Sequence, residues 1–180
     1  MPPRSDIEFM QRALDLAGEA QARGEVPVGA VLVRDGTIIG EGYNRPIGTH
    51  DPTAHAEIVT LRNAGALRPA EFAATTMVTN AIPCFLCAGA ILQLGIPRVV
   101  AGTAEWNGQR TPSHDFLLER GVEVVDLGRT EIVDLILQLA GVAESPSAAF
   151  EGGTDADAAV GNGRGGNGRG GNGSAPKRAS

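Results

Sequence analysis

The sequence predicts an α/β protein, a three-layer αβα sandwich around a five-stranded, mixed and mostly parallel sheet. The chain has 180 residues, of which 42% are hydrophobic, and this is enough to build one sizeable core. Short β-branched runs alternate with segments of helical spacing in the order α-β-β-α-β-α-β-α-β-α, a pattern typical of a parallel sheet covered by helices on both faces. The dipeptide Asp35-Gly36 between the first two strands predicts an opening hairpin.

The helices are predicted from apolar spacing and from end signals. Ser5 and Glu8 have the spacing of a capping box and open the first helix, which ends before Gly24. The stretch AHAEIVTLRNAG predicts a second helix that ends at Gly65 and carries His55 and Glu57 in its first turn. Further helices are predicted at residues 84–94, where Pro83 suits the first turn, and at residues 113–120 and 130–139.

The strands are predicted from short apolar runs rich in β-branched residues. These runs lie at residues 26–33, 38–43, 75–79, 98–101 and 122–127. Connections between parallel strands should be right-handed.

The last part of the chain has a different composition. Residues 161–173 contain 8 glycines in the repeat GNGRGGNGRGGNG, and such a segment buries too little apolar surface to offset its conformational entropy. We therefore predict a folded domain at residues 1–144 and a flexible, low-complexity Gly/Asn/Arg-rich tail at residues 145–180.

Charge and cysteine content narrow the class of protein. The formal net charge is −6, and residues 1–150 hold 18 acidic and 11 basic side chains, so the folded part does not attract phosphate backbones over long range. The sequence has no apolar run of about 18 residues and no secretory profile at its N-terminus. We expect a cytoplasmic protein with no membrane partner, in which both thiols stay reduced.

The two cysteines are the first candidates for chemistry. Cys84 and Cys87 lie three residues apart at the start of a predicted helix, so both sulfurs face the same side. His55 heads another predicted helix and is a third ligand of the kind that zinc accepts. Catalytic zinc sites use three protein ligands and leave a fourth position for water, whereas a closed structural site would need a fourth ligand, such as His50 or His114. We expect those two histidines in loops or at the surface.

These residues form a known signature. His55-Ala56-Glu57 together with Pro83-Cys84-Phe85-Leu86-Cys87 spells the H-x-E and P-C-x-x-C pattern of zinc nucleobase deaminases, and Glu57 is the candidate for proton transfer. Residues 6–140 resemble the cytidine deaminase-like superfamily. The stretch from Val26 to Glu57 is similar to bacterial tRNA adenosine deaminases, whereas AGAILQLGIPRVVAG and FLLERGVEVVDL are similar to fungal-type cytosine deaminases.

The resemblance implies a set of roles. It implies one zinc ion per chain on His55, Cys84 and Cys87, Glu57 as proton shuttle, Asn44 as a hydrogen-bond partner of the base, and a homodimer with the site near the interface. The sequence departs from the family before Pro83: where these deaminases usually carry Thr-Leu-Glu or Thr-Leu-Ser, this chain has Asn80-Ala81-Ile82, so Ile82 puts an apolar group at the pocket edge. Trp106 could stack on a base, or it could pack in the ordinary way.

The two halves of the chain predict different substrates. We favour a free, cytosine-like aminated base or nucleoside over tRNA, because the folded part is acidic and residues 132–139 lack the basic residues found in the last helix of tRNA deaminases. A tRNA adenosine deaminase that makes inosine at the wobble position is the first alternative. A metal-binding, non-catalytic partner subunit of another deaminase is the second.

Overall fold

The computed structural model describes residues 5–106 and 109–128. Its main sheet has five strands in the order β2-β1-β3-β4-β7. The strands of the chain are β1 (Gly29–Arg34), β2 (Thr37–Tyr43), β3 (Thr75–Thr79), β4 (Arg98–Ala101), β5 (Glu105–Trp106), β6 (Gln109–Arg110) and β7 (Glu123–Asp126).

Strand direction agrees with the prediction. β1 is antiparallel to both of its neighbours, β2 and β3, whereas β3, β4 and β7 pair in parallel. Four of the five strands therefore run in one direction and β1 runs against them, so the mixed, mostly parallel sheet is confirmed. The opening hairpin of β1 and β2 is also confirmed, with Asp35 in the left-handed region at a φ of 50°.

Helices cover both faces of this sheet. They are α1 (Asp6–Ala22), α2 (Pro46–Thr49), α3 (Ala56–Ala64), α4 (Pro69–Phe72), α5 (Phe85–Leu94) and α6 (Pro112–Glu119). Side chains of β1 alternate between the faces: Val31 and Val33 pack with α1, whereas Ala30 and Leu32 join a second cluster with α3, α5 and α6. The three-layer sandwich is therefore confirmed.

The element boundaries differ from the predicted ones near the site. The first strand begins at Gly29 instead of residue 26, and the residues before it leave the ladder because Pro27 has no N–H to donate. α3 and α5 each begin one residue later than predicted, so that His55 and Cys84 are N-cap residues in extended conformation. Pro83 consequently precedes the N-cap instead of lying in the first helical turn.

Several short elements were missed by sequence reasoning. α2 and α4 have four residues each, and β5 and β6 form a separate two-stranded hairpin of two residues per strand. Elements this short leave no periodic pattern in the sequence. The predicted helix at residues 130–139, the boundary at residues 144–145 and the low-complexity tail lie outside the described residues.

Two glycines set the distance between α3 and the sheet. A Cβ atom on Gly40 would lie 2.7 Å from the Cβ of Ala64, and one on Gly42 would lie 2.7 Å from the side chain of Val59. Both distances are shorter than real carbon contacts, so only glycine allows α3 to pack this closely on β2. This close packing sets the distance between the sheet and the N-terminus of α3, where His55 and Glu57 lie.

Among the described helices, none combines the length and the apolar character that a membrane crossing requires.

Candidate metal centre and its cavity

Three side chains from two helix starts meet at one point. His55 caps α3 and Cys84 caps α5, while Cys87 lies within the first turn of α5. The Nδ1 atom of His55 is 3.3 Å from the sulfur of Cys84 and 3.7 Å from the sulfur of Cys87, and the two sulfurs are 3.7 Å apart. We call His55, Cys84 and Cys87 the metal cluster.

The spacing of the metal cluster suits a zinc ion. A tetrahedral ion with Zn–S bonds of about 2.3 Å and a Zn–N bond of about 2.0 Å holds its ligand atoms about 3.5–3.8 Å apart. The three observed separations, 3.3, 3.7 and 3.7 Å, match this geometry closely. No fourth His, Cys, Asp or Glu joins the cluster in residues 5–106 and 109–128. The cluster could therefore hold zinc with one coordination position left open.

The close contacts within the cluster shift the pKa values of all three of its members. Hydrogen bonding with Cys87 and with His55 lowers the pKa of the Cys84 thiol to about 4. The same interaction with Cys84, together with burial, raises the pKa of Cys87. Hydrogen bonding with Cys84 raises the pKa of His55. One sulfur thus carries a negative charge, and thiolates are the form in which cysteines bind metals.

Glu57 lies beside the metal cluster, in the first turn of α3. Its side chain is only 4% exposed, and burial raises the pKa of its carboxyl group to about 7. A carboxyl group that titrates near neutral pH can both accept and release a proton under ordinary conditions. The structure thus brings Glu57 to the position that the sequence predicted, although its role stays a prediction.

The predicted base-contacting residues have different surroundings. Asn44 is buried, and its Oδ1 accepts a hydrogen bond of 2.7 Å from the backbone N–H of Ala56 at the start of α3. Within the described part of the chain its Nδ2 has no partner, which leaves this donor for the cavity. Ile82 is half-buried and also lines the cavity. Trp106 lies in β5, but its side chain is outside the described part, so the stacking contact stays a prediction.

A cavity of about 270 Å³ opens in front of the metal cluster. This volume is near the lower end of the range of about 300–1,000 Å³ that is usual for ligand sites, so the cavity fits one small molecule. Its apolar lining consists of Val26, Val28, Pro46, Ala81 and Ile82, and its polar lining consists of Asn44, His55, Glu57, Cys84, Thr103, Glu105, Thr111 and Ser113.

Four of the polar lining residues were missed by sequence reasoning. Thr103, Thr111 and Ser113 flank the β5–β6 hairpin and Glu105 begins β5, and we call these four residues the hairpin wall. The Oγ1 of Thr103 accepts a hydrogen bond of 3.1 Å from the backbone N–H of Glu105, and the hydroxyl groups of Ser113 and Thr111 are 3.4 Å apart. The composition of residues 103–113 gave no spacing from which such a wall could be recognised.

The two remaining histidines lie outside the metal cluster. His50 is exposed after α2, as expected. The expectation of a loop or surface position for His114 is wrong, because this residue is 4% exposed within α6 and its Nδ1 lies 2.9 Å from a carboxylate oxygen of Asp115. The helical spacing of residues 113–120 did not show which face of α6 packs against the sheet.

Comparisons with known proteins agree with this geometry. Residues 3–103 match a family described as the cytidine and deoxycytidylate deaminase zinc-binding region. A tRNA-specific adenosine deaminase of Haemophilus influenzae is 48% identical over 103 residues, which are 56% of this chain and 60% of that protein. A cytosine deaminase of Candida albicans is 37% identical over 132 residues, which are 73% of this chain and 86% of that protein.

A solved structure extends the likeness to the fold. It comes from a study of A-to-I editing by tRNA:A34 deaminases at the wobble position of transfer RNA. It is 30% identical, has a TM-score of 0.60, and covers 72% of this chain and 99% of the other. The resemblance inferred from the H-x-E and P-C-x-x-C pattern is therefore confirmed: the chain belongs to the cytidine and deoxycytidylate deaminase zinc-binding family.

Proposed function

We propose that this protein is a zinc-dependent hydrolytic deaminase whose substrate is a free, cytosine-like aminated base or nucleoside. The reaction adds water at the carbon that carries the amine and releases ammonia, which leaves an oxo group on the ring. The observation that carries this proposal is the convergence of the metal cluster and the buried Glu57 on one small cavity with apolar walls.

The roles of the site residues follow from their positions. His55, Cys84 and Cys87 would hold the ion, which when bound activates a water molecule as the nucleophile. Glu57 would take a proton from the attacking water and deliver protons to the ring and to the leaving amine. Its burial favours these transfers because little bulk water competes for the proton.

The cavity wall would orient the ring. The free Nδ2 of Asn44 can donate a hydrogen bond to a ring nitrogen or an oxo group of the base. Val28 and Ile82 offer apolar surface to the ring and exclude water from it. An unpaired amide facing a bound base would cost about 1–3 kcal/mol, so this contact selects for bases with a matching acceptor.

A small base is favoured over RNA by two observations. The match to the Candida albicans cytosine deaminase covers 73% of this chain and 86% of that protein, whereas the match to the Haemophilus influenzae protein covers 56% of this chain and 60% of that protein. In addition, residues 1–150 carry a formal net charge of −7, which opposes binding of a phosphate backbone.

Deamination of adenosine in tRNA is the second candidate function. It is supported by the higher identity, 48%, to the Haemophilus influenzae tRNA-specific adenosine deaminase. The chain spans 60% of that protein's length, so the substrate of the relative is a proposal for this chain.

The test is a substrate panel on the zinc-loaded full chain. Purified protein is offered cytosine, cytidine, guanine, adenosine and a tRNA anticodon stem-loop, and ammonia and inosine are measured. We expect ammonia from cytosine or cytidine and no inosine in the RNA. Inosine in the stem-loop with no turnover of the small substrates would replace the first proposal by the second.

A matched pair of variants shows that turnover comes from this site. Glu57→Gln should abolish the ammonia signal, whereas Glu19→Gln, on the exposed surface of α1, should leave it unchanged. An ammonia signal that persists in Glu57→Gln would indicate a contaminating activity, and equal loss in both variants would indicate a general folding defect.

The expected homodimer belongs to the same proposal. Phe85, Leu86 and Leu118 are 50%, 47% and 45% exposed, and a second copy of the chain would cover such apolar side chains. Light scattering coupled to size-exclusion chromatography measures the mass in solution, and a monomer at micromolar concentration would contradict this part of the proposal.

A further inference from the structure

Asn80 is the most completely buried amide side chain near the cavity. It lies directly after β3 and is 1% exposed. Its Oδ1 accepts a hydrogen bond of 2.9 Å from the backbone N–H of Gly29, and its Nδ2 donates one of 3.0 Å to the carbonyl of Pro27. The function proposed above gives this side chain no role, although the sequence departs from the family pattern here.

The side chain of Asn80 extends the sheet beyond the end of its strand. The β1–β3 ladder ends with the pair Ala30 and Thr79, and from there the chain turns away from the sheet toward Cys84. The amide of Asn80 offers one acceptor and one donor in place of the next peptide group. The last backbone contact here is the one that the N–H of Asn80 donates to the carbonyl of Gly29 at 3.3 Å, and the side chain of Asn80 extends this contact to the N–H of Gly29 and the carbonyl of Pro27.

The residue between the two contacts belongs to the cavity. Val28 lines the apolar side of the cavity, and its carbonyl accepts a hydrogen bond of 2.9 Å from the backbone N–H of Asn44. The side chain of Asn44 in turn accepts the N–H of Ala56, next to His55. Asn80 is thus linked to the base-facing side chains through the backbone of Val28.

Asn80 has little freedom to move. On the side of β4, a Cβ atom on Gly102 would lie 2.5 Å from the backbone oxygen of Asn80, so the two backbones are in close contact. The backbone N–H of Gly102 also donates to the carbonyl of Thr79 at 2.9 Å. Because these contacts hold the backbone of Asn80 in place, its side chain can in turn keep Gly29 and Pro27 in position.

We infer that Asn80 is a positioning residue that fixes Val28, and through it the peptide of Asn44, and thereby sets the size of base that the cavity accepts. The claim that Asn80 sets the size of the accepted base rests on the proposed function. The claim that Asn80 fixes the positions of Val28 and Asn44 does not, because it concerns only backbone groups of the protein itself.

The first test is hydrogen exchange in the zinc-loaded full chain, with Asn80→Thr as the variant. A hydroxyl group can donate and accept, but the single oxygen of threonine lies one bond closer to the backbone than the amide atoms and cannot occupy the positions of both Oδ1 and Nδ2. We expect the amides of Gly29 and Asn44 to exchange about fivefold to tenfold faster than in the wild type, as the loss of about one hydrogen bond predicts. Faster exchange at Gly29 alone would overturn the inference, because the effect would then stop at the direct contact.

Two further variants serve as a control and as a replacement if the first variant does not fold. Asn63→Thr removes another side chain to backbone hydrogen bond, at the exposed surface of α3, and should leave both amides unchanged. If Asn80→Thr does not fold, Asn80→Asp is used instead, since aspartate keeps the shape and the acceptor for Gly29 but loses the donor to Pro27. It should speed exchange at Asn44 while Gly29 stays protected, and protection of both amides would overturn the inference.

The second test is substrate size. We expect the ratio of kcat/KM for cytosine to that for 5-methylcytosine to fall about tenfold in Asn80→Thr, because a hydrophobic wall distinguishes one methyl group by about this factor. A lower melting temperature with an unchanged ratio would show a purely structural role. A wild-type protein that turns over none of cytosine, 5-methylcytosine and cytidine would refute the proposed function, and the exchange of the Gly29 and Asn44 amides would still decide whether Asn80 holds the wall.

Discussion

The metal cluster and the hairpin wall line the same cavity but are assembled differently. The metal cluster comes from two helix starts, and its three ligand atoms lie 3.3–3.7 Å apart, so each position is constrained by the other two. The hairpin wall comes from residues in and around the β5–β6 hairpin, whose strands have two residues each. Its hydroxyl groups form hydrogen bonds with each other or with nearby backbone. The difference teaches that the ligands of the metal cluster can be recognised from their positions in the sequence, whereas the wall of the cavity is defined only by tertiary packing.

The largest effect should come from breaking the metal cluster. His55→Asn keeps a good N-cap for α3 but loses an imidazole ligand, so we expect loss of both bound zinc and turnover. Metal analysis and the ammonia assay measure the two losses.

The matched control is His50→Asn, at an exposed position with a φ of 53° that asparagine tolerates. It should retain zinc and activity. Full zinc content in His55→Asn would contradict the assignment of the cluster.

The next effect should separate chemistry from metal binding within the same region. Glu57→Gln removes the proton-transferring carboxyl group and keeps the shape of the side chain, so turnover should fall about 10²-fold to 10⁴-fold. Zinc content should stay at the wild-type level, because Glu57 is outside the metal cluster. A variant that keeps its turnover would show that another group transfers the proton.

A smaller effect should appear at the residue between the two regions. Asn44→Asp keeps the acceptor for the N–H of Ala56 but loses the donor that faces the cavity, so we expect KM for the base to rise about tenfold. Asn44→Ala loses both and should also lower the melting temperature. Steady-state kinetics and thermal unfolding separate the two outcomes, and an unchanged KM in Asn44→Asp would remove Asn44 from base recognition.

The hairpin wall should show a weaker and more selective response. Glu105→Gln should change kcat/KM by roughly fivefold for cytosine, as expected for about one hydrogen bond, with zinc content unchanged. Kinetics on cytosine and guanine in parallel measure the effect on selectivity. A loss of zinc would show that the two regions are not independent.

The smallest effect is expected for an ion pair that lies far from both regions. The guanidinium group of Arg98, hydrogen bonded to Asp6 at 2.8 and 3.0 Å, lowers the pKa of the Asp6 carboxyl group. The pair therefore contributes stability above the usual Asp value of about 4, and this contribution is lost as the pH falls through the lowered value of the folded protein.

The partly exposed pair should contribute less than about 1 kcal/mol. Asp6→Asn should lower the free energy of unfolding by this amount at pH 7, and the difference should shrink as the pH falls below about 4. Urea unfolding at several pH values measures it. A difference that grows in acid would show that the sign is wrong.

The parts that could be predicted are those governed by local rules. Coordination geometry restricts the spacing of Cys84 and Cys87, and His55 was identified with them through the H-x-E and P-C-x-x-C signature. Alternating β-branched runs and helical spacing likewise predicted all five strands of the main sheet and the helices α1, α3, α5 and α6.

The parts that could not be predicted depend on contacts between distant segments. Asn80 is 51 residues from Gly29, and only the folded sheet shows that its amide is satisfied by that backbone. The burial of His114 depends on the face that α6 presents to the core, and the hairpin wall lies around strands of two residues each, which are too short to show periodicity. None of these three features can be predicted from the sequence before the packing of the helices on the sheet is known.

Gly40 and Gly42 have a consequence that reaches beyond helix packing. They carry no side chain, and α3 approaches β2 this closely only because a methyl group is missing at both positions. His55 stands at the start of the same helix, so its imidazole is carried wherever α3 is carried. Alanine at either position should push α3 away from β2, and we expect weaker zinc binding although no ligand residue is changed.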